Sequence, residues 1–362
     1  MRNVNVNEPL NQQSCQTSVM VSADLINKVL NGNSLEVLKT IPDNSIDCCI
    51  TSPPYWGLRD YGHEEQLGSE KHFKDFVINL SNVFDEVQRV LKPTGTCFIN
   101  LGDTYGGSGS GTTKNADTSK YVENSKQVYV LPNGTSKASQ FRGTAMNKSL
   151  CMIPERFAIE MIDRGWCLRN QIIWHKPNQM PSSAKDRFTV DFEKVFFFVK
   201  QPTGYYFEQQ LEPALTNENR PNGVVRNREY NYDSKENKNP DAYKKTHKNI
   251  KDKGQQPNSM HLKRASGIPD EIYVDRNVRT VWSINTKPFK DAHFATYPQT
   301  LVERMLKAGC PENGIVLDPF FGSGTTGVYA RKVNRNFLGI ELNSEYIKIA
   351  ENRLYKEIGM FL

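Results

Sequence analysis

The chain has 362 residues, of which 37% are hydrophobic and 24% charged, a composition typical of globular proteins in water. No apolar run approaches the roughly 20 residues of a membrane-spanning helix, and the polar residues 1–22 lack the basic and apolar regions of a secretory signal. We therefore expect a cytoplasmic protein with a flexible tail at 1–22. The length exceeds the roughly 250–300 residues of a single core, which predicts one large domain plus a smaller one or a long insertion.

The seven cysteines are scattered along the chain without Cys-x-x-Cys spacing. In a reducing compartment such residues are expected to be buried free thiols. His175 and His293 have no partners at metal-binding spacing, so we predict no metal site.

The first hundred residues alternate between strand and helix patterns. A short apolar run at 46–50, bounded by turn residues, is typical of a buried strand. Apolar residues between Phe73 and Val90 recur at spacings of three and four and predict an amphipathic helix, which ends where Pro93 and Gly95 break the pattern. The predicted elements are strands at 24–33, 46–50 and 96–101 and helices at 34–39 and 73–90. The first three in chain order, 24–33, 34–39 and 46–50, form a β-α-β step.

The segment Thr51–Gly57 (TSPPYWG) leaves the strand 46–50 abruptly. Its two prolines fix φ and remove two N–H donors, so the carbonyl groups of the segment have no strand to pair with. Free carbonyls, the Ser52 hydroxyl and the Tyr55 ring would form an acceptor-rich pocket with a stacking surface, which suits a flat ring that carries an amino group. A rigid Pro-Pro turn with a core tyrosine is the alternative interpretation.

Residues 102–148 begin with closely spaced glycines and show no apolar periodicity. Loops of this length in compact domains are usually functional or disordered, so we predict a mobile loop that is either a lid or plain disorder. Asp103, at its start, is expected near the proposed pocket, where it either holds substrate or simply forms the turn.

The middle of the chain combines regular elements with a strongly basic stretch. A helix begins at Pro154 and ends at Gly165, and strand patterns follow at 166–176 and 193–200, joined by a loop. Between residues 219 and 264, twelve Lys and Arg residues stand against five acids, so this stretch carries more positive charge than the chain's net +6. Interleaved tyrosine, asparagine and glutamine indicate a nucleic-acid-binding surface; a solvated charged linker is the alternative.

The C-terminal part of the chain predicts a cofactor site. Its elements are a strand at 278–284, a helix at 298–309, a strand at 314–318, a glycine loop at 322–327, a helix to 332, a strand at 336–341 and a helix at 344–358. Glycines let the backbone approach a ligand and adopt positive φ, and a helix N-terminus offers free N–H groups. Glu341 ends the strand after the glycine loop, where a carboxylate can bind both hydroxyls of a ribose.

Three classes of cofactor compete for this loop. A P-loop would need lysine after the last glycine, but Thr325 and Thr326 follow Gly324. Gly322-x-Gly324-x-x-Gly327 matches the dinucleotide fingerprint, yet a dinucleotide fold places this unit first and few residues remain after Glu341. The missing strands must come from earlier in the chain. This order predicts an α/β fold with a permuted doubly wound sheet, and it points to S-adenosylmethionine.

Three features together resemble the DNA amino-methyltransferases of the beta arrangement. They are Ser52-Pro53-Pro54-Tyr55, the basic stretch, and Asp318-Pro319-Phe320-x-Gly322-Ser323-Gly324-Thr325-Thr326. The resemblance runs from about Lys28 to Leu354. It excludes the loop at 102–148 and the basic stretch, which vary in such families. It implies a Rossmann-like methyltransferase sheet, mostly parallel with an antiparallel hairpin strand, and a small basic insertion as the target recognition region.

The resemblance also implies roles for individual residues. Ser52, Pro53, Pro54 and Tyr55 would receive the target base, Asn33 stands where the family contacts the cofactor adenine, and His293–Pro298 resembles the segment beside the methionine part. The predicted cofactor-binding residues are Asn33, Phe294, Asp318, Pro319, Phe320, Gly322, Gly324, Thr325 and Glu341. The predicted nucleic-acid-binding residues are Trp56, Arg59, Arg226, Arg228, Lys244, Lys245, Lys248 and Lys251. For Trp56 and Arg59, packing of the loop is the alternative.

The implied activity is methyl transfer from S-adenosylmethionine to the exocyclic amino group of a base flipped out of duplex DNA, by direct displacement and without a covalent base adduct. Family members with serine at the position of Ser52 mostly methylate N4 of cytosine, and those with Asp or Asn mostly methylate N6 of adenine. We therefore favour cytosine N4 and keep adenine N6 as the alternative. Structured RNA as substrate, and a nucleic-acid-binding protein with a vestigial cofactor site, are further alternatives.

The expected organisation has three parts after the tail: a catalytic half at 23–200, a target recognition region at 201–277 and a cofactor-binding half at 278–362. The expected partners are double-stranded DNA and, where one exists, a cognate restriction endonuclease. We expect a nucleoid-associated monomer or weak homodimer.

Overall fold

The computed structural model describes residues 21–57, 63, 65–106, 144, 146–213, 275–286 and 297–359. The chain divides into two compact units, Met1–Glu208 with Arg279–Leu362, and Gln209–Val278. Several predictions fall outside the described residues: most of the loop at 102–148, and the site residues Arg59, Arg226, Arg228, Lys244, Lys245, Lys248, Lys251 and Phe294.

Within the described residues there are ten strands and six α-helices, after a short 3₁₀-helix at Ala23–Leu25. The strands are β1 (Lys28–Asn31), β2 (Ile46–Thr51), β3 (Leu91–Leu101), β4 (Cys167–His175), β5 (Phe192–Val199), β6 (Leu211–Pro213), β7 (Asp275–Asn277), β8 (Val281–Ser283), β9 (Ile315–Asp318) and β10 (Asn336–Glu341). The helices are α1 (Ser34–Leu38), α2 (Phe73–Val90), α3 (Ile153–Asp163), α4 (Gln299–Gly309), α5 (Thr325–Lys332) and α6 (Ser344–Ile358). None of these helices is long and apolar enough to cross a bilayer.

Eight strands of the larger unit form one sheet in the order β1-β10-β9-β2-β3-β5-β4-β8. The five strands from β1 to β3 in this order are parallel, whereas β5 pairs antiparallel with both β3 and β4. β8 is parallel to β4. This mixed, mostly parallel α/β sheet with an antiparallel hairpin confirms the predicted fold class. The described part of the smaller unit contains β6 and β7, an antiparallel pair that we did not predict.

The strand order is permuted as the position of the glycine loop predicted. β9 and β10, which come last in the chain, lie between β1 and β2. The predicted β-α-β step through α1 therefore passes over two strands and does not join neighbours. β9 and β2 are adjacent, yet the chain continues from β9 to one side of the sheet and from β2 to the other. Such a switch point is where doubly wound sheets bind ligands, at the carboxyl ends of the strands.

Helices cover both faces of this sheet. On one face, α2 buries Phe76 and Phe84 completely in a core that includes Phe157 of α3, and each such ring stabilises the fold by about 1.5–3 kcal/mol. On the other face, α4 lies against β3, where the Thr96 hydroxyl donates a hydrogen bond to the Gly309 carbonyl at 2.8 Å. The central strands are apolar along most of their length, and successive side chains point to opposite faces. Both sides of the sheet are therefore apolar and are covered by helices.

Strand β3 differs most from its prediction. It begins at Leu91, directly after α2, and not at residue 96. Pro93 and Gly95, which we interpreted as a break between helix and strand, lie inside the strand where its pairing with β2 shifts register. Proline and glycine are tolerated there because residues at such an irregularity leave the hydrogen-bonded ladder. The strand predicted at 24–33 is shorter, because Ala23–Leu25 form a 3₁₀-helix and β1 begins only at Lys28. The other predicted elements lie within a few residues of the observed bounds.

Six cysteines lie in described residues, and all are free thiols. Five are buried and Cys167 is partly exposed, which confirms the predicted burial for those five. Burial raises the pKa of the Cys151 thiol to about 11, so this residue stays protonated and inert at neutral pH.

Candidate functional site

The parallel strands bring the two predicted motifs to one edge of the sheet. β2 ends at Thr51, directly before Ser52, and β9 ends at Asp318, directly before the glycine-rich loop. The two strands pair with each other, with Cys49 opposite Leu317. The proline segment and the glycine-rich loop, which are far apart in the sequence, therefore lie side by side.

A hydrogen bond joins the two motifs directly. Thr51 Oγ1 donates to Asp318 Oδ1 at 2.6 Å, and both residues are only 1% exposed. Hydrogen bonds to a carboxylate are stronger than neutral ones, and burial strengthens them further. Thr51 therefore fixes the start of the proline segment against the end of β9. This role of Thr51 is not predictable from the sequence, because a threonine inside a strand carries no local signal.

Asp318 lies at the centre of a buried hydrogen-bond network. Besides Thr51, its Oδ1 accepts from the Phe320 N–H at 3.1 Å, and its Oδ2 accepts from the hydroxyls of Thr326 at 2.6 Å and Tyr297 at 3.2 Å. Burial raises the pKa of Asp318, although each of these hydrogen bonds favours the carboxylate. These hydrogen bonds fix Asp318, which we predicted to bind the cofactor, at the end of β9 and so shape the start of the loop that follows.

The glycine-rich loop adopts the backbone that its sequence predicted. Gly322 and Gly324 have φ of +52° and +78°, in the left-handed region that favours glycine. Among the described residues, a Cβ on Gly322 would meet only the Phe320 carbonyl, at 3.9 Å, whereas one on Gly324 would lie 3.0 Å from the Cβ of Ala350. The loop is thus open at Gly322 and closely packed at Gly324, where α5 begins.

Glu341 lies beside the open part of this loop. Its Oε2 accepts from the Gly322 N–H at 2.7 Å and its Oε1 accepts from the Asn343 N–H at 2.8 Å. The residue is 9% exposed, and burial raises its pKa. Each carboxylate oxygen keeps acceptor capacity beyond these bonds. The spacing of nineteen residues from Gly322 predicted this proximity.

The turn after β1 completes the edge. The Gly32 N–H donates to the Glu341 carbonyl at 3.0 Å, and the Ser34 hydroxyl donates to the Pro319 carbonyl at 2.5 Å. Asn33, predicted to contact the adenine, thus lies near the ends of β9 and β10, between two residues that bond to them. Its side-chain oxygen caps α1 through a backbone N–H at 3.0 Å, which is the usual role of asparagine at this position.

Thr325, also predicted to bind the cofactor, is held by α6. Its hydroxyl accepts a hydrogen bond from Arg353 Nη1 at 2.8 Å, and the residue is 4% exposed. The neighbouring Thr326, which we did not include, donates to Asp318 instead. The two threonines therefore fix the first turn of α5, one on each side.

Tyr55 is fixed by polar groups on the neighbouring strands. Its hydroxyl donates to Glu193 Oε2 at 2.8 Å and lies 3.4 Å from Asn100 Oδ1. Glu193 in turn pairs with Lys176. The ring lies against the backbone at Gly102, where an added Cβ would come within 2.5 Å of it. Sequence reasoning missed Glu193, Lys176 and Gly102 because they lie far from Tyr55 in the chain.

Trp56, predicted to contact DNA or to pack the loop, lies against the start of α2. The residue is 5% exposed, its indole N–H donates to the Glu70 carbonyl at 2.9 Å, and its ring packs edge-on against Phe73 at 5.9 Å between centroids. In this structure Trp56 is a packing residue, the alternative that we had kept. The apolar Phe73 at the start of α2 is the signal for that packing, because it needs a partner on the preceding loop.

Asp103 follows β3 and caps a helix. Its Oδ1 accepts from the N–H groups of Thr104 at 2.8 Å and of Ile153, at the start of α3, at 3.0 Å. Burial raises the pKa of Asp103. Of the two predicted roles, the structure therefore shows the turn-forming one.

Comparison with known proteins finds similar sequences over most of this chain. Residues 46–352 match the family model of the N6/N4 methyltransferases, described as DNA methylase. The chain is 35% identical over 329 residues to the Type II methyltransferase M.Cfr9I of Citrobacter freundii, an alignment that covers 91% of this chain and 88% of the relative. It is 33% identical over 330 residues to M.SmaI of Serratia marcescens, covering 91% of each.

Solved structures share the fold at lower identity. The PvuII DNA methyltransferase (cytosine-N4-specific) superposes with a TM-score of 0.54 at 18% identity, over 89% of this chain and 84% of that one. TTHA0409 of Thermus thermophilus superposes with a TM-score of 0.51 at 22% identity, over 92% of this chain and 96% of that one. The likeness extends over most of both proteins.

Proposed function

Because the chain belongs to the N6/N4 family of DNA methylases, we propose that it transfers a methyl group from S-adenosyl-L-methionine to N4 of a cytosine flipped out of double-stranded DNA. The observation that carries the proposal is the contact between Thr51 and Asp318, which sets Ser52–Tyr55 beside the glycine-rich loop. A base-binding segment and a cofactor loop must be neighbours for methyl transfer, because reacting atoms need to approach within about 3–3.5 Å.

The residues at the open part of the loop fit the proposed cofactor. Gly322 leaves space for a ligand, and Glu341 beside it keeps acceptor capacity for ribose hydroxyls. TTHA0409, at a TM-score of 0.50 and 21% identity, has been solved in complex with S-adenosyl-L-methionine. When bound, this cofactor supplies an activated methyl group, so the protein's own task is orientation.

The proline segment supports the proposed acceptor side. Pro53 is buried and Ser52 and Tyr55 are half-buried at the end of β2. The Ser52 hydroxyl and the Pro53 carbonyl would accept the amino hydrogens of the base, and the Tyr55 ring would stack on it. Flipping costs a few kcal/mol of unstacking, and stacking on an aromatic side chain returns roughly 1–3 kcal/mol.

The choice of cytosine N4 depends on Ser52. Ser52 stands where family members that methylate cytosine mostly carry serine, and the PvuII enzyme is named as cytosine-N4-specific. Adenine N6 is the alternative, because a serine hydroxyl and a carboxylate both accept hydrogen bonds from an amino group.

The proposal is tested by incubating the protein with mixed-sequence DNA and isotope-labelled S-adenosyl-L-methionine, followed by nucleoside mass spectrometry and modified-base sequencing. We expect labelled N4-methylcytosine at one short sequence. Labelled N6-methyladenine would reassign the base, and label in a parallel sample of structured RNA would reassign the substrate. Bound cofactor without any labelled nucleoside would contradict enzymatic activity.

The basic stretch provides a prediction about DNA binding. Replacing Lys244, Lys245, Lys248 and Lys251 with glutamine should weaken binding and reduce the slope of log K against log salt by about 0.9 for each phosphate that is no longer neutralised. The measurement is fluorescence anisotropy with duplex DNA over a range of salt concentrations. Lys307→Gln, at an exposed lysine on α4, is the control. An unchanged salt slope would make the stretch a linker.

Glu341 provides a prediction about pH. Its raised pKa means that the carboxylate takes up a proton at a higher pH than an ordinary glutamate, and protonation removes acceptors for the ribose. The affinity for S-adenosyl-L-methionine should therefore fall as the pH drops through this raised pKa, as measured by calorimetry across pH 4–8. Glu341→Gln should remove the step, and Glu345→Gln, at an exposed glutamate on α6, should retain it. The same acid step in Glu341→Gln would contradict this assignment.

A further inference from the structure

The loop between β4 and β5, residues 176–191, leaves the sheet at the edge that carries Tyr55; we name it the hairpin loop. β5 runs antiparallel to β3, with Lys194 opposite Leu101 at the carboxyl end of β3. β4 ends opposite the start of β5, with His175 across from Phe192. Both ends of the hairpin loop are therefore on the side of the sheet where the base-binding segment lies.

The hairpin loop exposes large apolar side chains. Phe188 is 95% exposed and Met180 is 81% exposed. Burial of such side chains is strongly favourable, and a cluster of them at a protein surface often marks an interaction site. The same loop carries the cations Lys185 and Arg187 close to Phe188, in addition to Lys176 at its start.

The two residues before the exposed Phe188 contact other parts of the protein. Asp186 pairs with Lys148 at 2.8 Å. Arg187 lies over the ring of Tyr105, with 3.9 Å between the guanidinium carbon and the ring centroid. The two residues directly before Phe188 thus contact Lys148 and Tyr105, whereas the phenylalanine ring itself is exposed.

Two sets of contacts connect the hairpin loop to the base-binding segment. Tyr105, which stacks on Arg187, follows Gly102, against which the Tyr55 ring lies. At the start of the loop, Lys176 pairs with Glu193, the acceptor for the Tyr55 hydroxyl. The hairpin loop and Tyr55 therefore contact the same two parts of the protein, Glu193 and the segment 102–105.

We propose that the hairpin loop binds duplex DNA next to the target base, and that Phe188 enters the base stack where the flipped base has left. This inference rests on the proposed function. A flat apolar ring beside cations matches the space between base pairs, which is apolar inside and bordered by phosphates. Occupying that space would stabilise the flipped state, while Tyr55 holds the extruded base on the other side.

The test compares Phe188→Ala with the wild type on two duplexes that carry the recognition sequence. In one duplex the target base is paired, and in the other it lies opposite an abasic site, so that no pairing opposes flipping. The measurement is the single-turnover rate of methyl transfer. We expect Phe188→Ala to lose on the order of tenfold on the paired duplex and less than about twofold on the abasic one. Phe188→Trp should keep the wild-type rate, as should Ile159→Ala, a control on α3 at a residue that is 59% exposed.

Each other outcome overturns the inference in a recognisable way. Equal losses on both duplexes would assign Phe188 a structural role. No loss on either duplex would show that the Phe188 ring takes no part in methyl transfer. A change in the oligomeric state of Phe188→Ala on size-exclusion chromatography would show that a second copy of the chain covers the ring. A wild type that methylates neither duplex would overturn the proposed function itself.

Discussion

Replacing Tyr55 with alanine is expected to lower methyl transfer by roughly 5- to 150-fold, which corresponds to the loss of about 1–3 kcal/mol of base stacking. The affinity for S-adenosyl-L-methionine should change by less than about twofold, because the Tyr55 ring lies on the β3 and β5 side of the sheet edge, whereas Glu341 and Gly322 lie on the other side of β2. Single-turnover kinetics measure the first effect and equilibrium dialysis the second.

Tyr55→Phe is the matched control, because it keeps the ring and removes only the hydroxyl that binds Glu193. We expect a smaller loss than in Tyr55→Ala. Adding Glu193→Gln to Tyr55→Phe should have little further effect on the rate if Glu193 acts through that hydroxyl. An equal loss of cofactor affinity in Tyr55→Ala would place the ring at the cofactor and contradict its assignment to the base.

Replacing Asp318 with alanine is expected to lower the free energy of unfolding by roughly 3–5 kcal/mol and to abolish cofactor binding. The substitution leaves the buried hydroxyls of Thr51 and Thr326 without their acceptor and removes the acceptor of the Phe320 N–H, whereas the Tyr297 hydroxyl keeps its contact with Thr326. Urea unfolding measures the stability, and equilibrium dialysis measures the binding.

Asp163→Ala, at an exposed position near the end of α3, is the control for loss of an aspartate and should change stability by less than about 0.5 kcal/mol. Asp318→Asn, which keeps one acceptor oxygen, should lie between the control and Asp318→Ala. A decrease below about 1 kcal/mol in Asp318→Ala would show that the network adds little to the stability of the fold.

The sequence predicted those parts of the site whose signal is local. A buried strand, two glycines and a helix start follow one another from Ile315 to Thr325, and Gly322 and Gly324 adopt the positive φ that only glycine takes easily. The order of this unit after the proline segment also predicted the permuted sheet, because a C-terminal cofactor half must borrow its remaining strands from earlier residues.

The sequence could not predict the contacts that hold the site together. Thr51 and Glu193 have ordinary surroundings in the chain, and their roles depend on strands that meet only in the folded sheet. The position of Asp318 in the motif is visible in the sequence, whereas the donors around it are not. Pro93 and Gly95 were interpreted as a break because tertiary pairing at a strand irregularity overrides their local preference.

The Thr51–Asp318 contact also has a consequence for folding. The two residues are 267 positions apart, and the central pairing of β2 with β9 joins residues that are similarly distant in the sequence. Closing so long a segment of chain loses entropy before any contact at the site rewards it, and such non-local pairing slows folding. We therefore expect refolding to be limited by the docking of the C-terminal strands, with catalytic activity recovered only after that step.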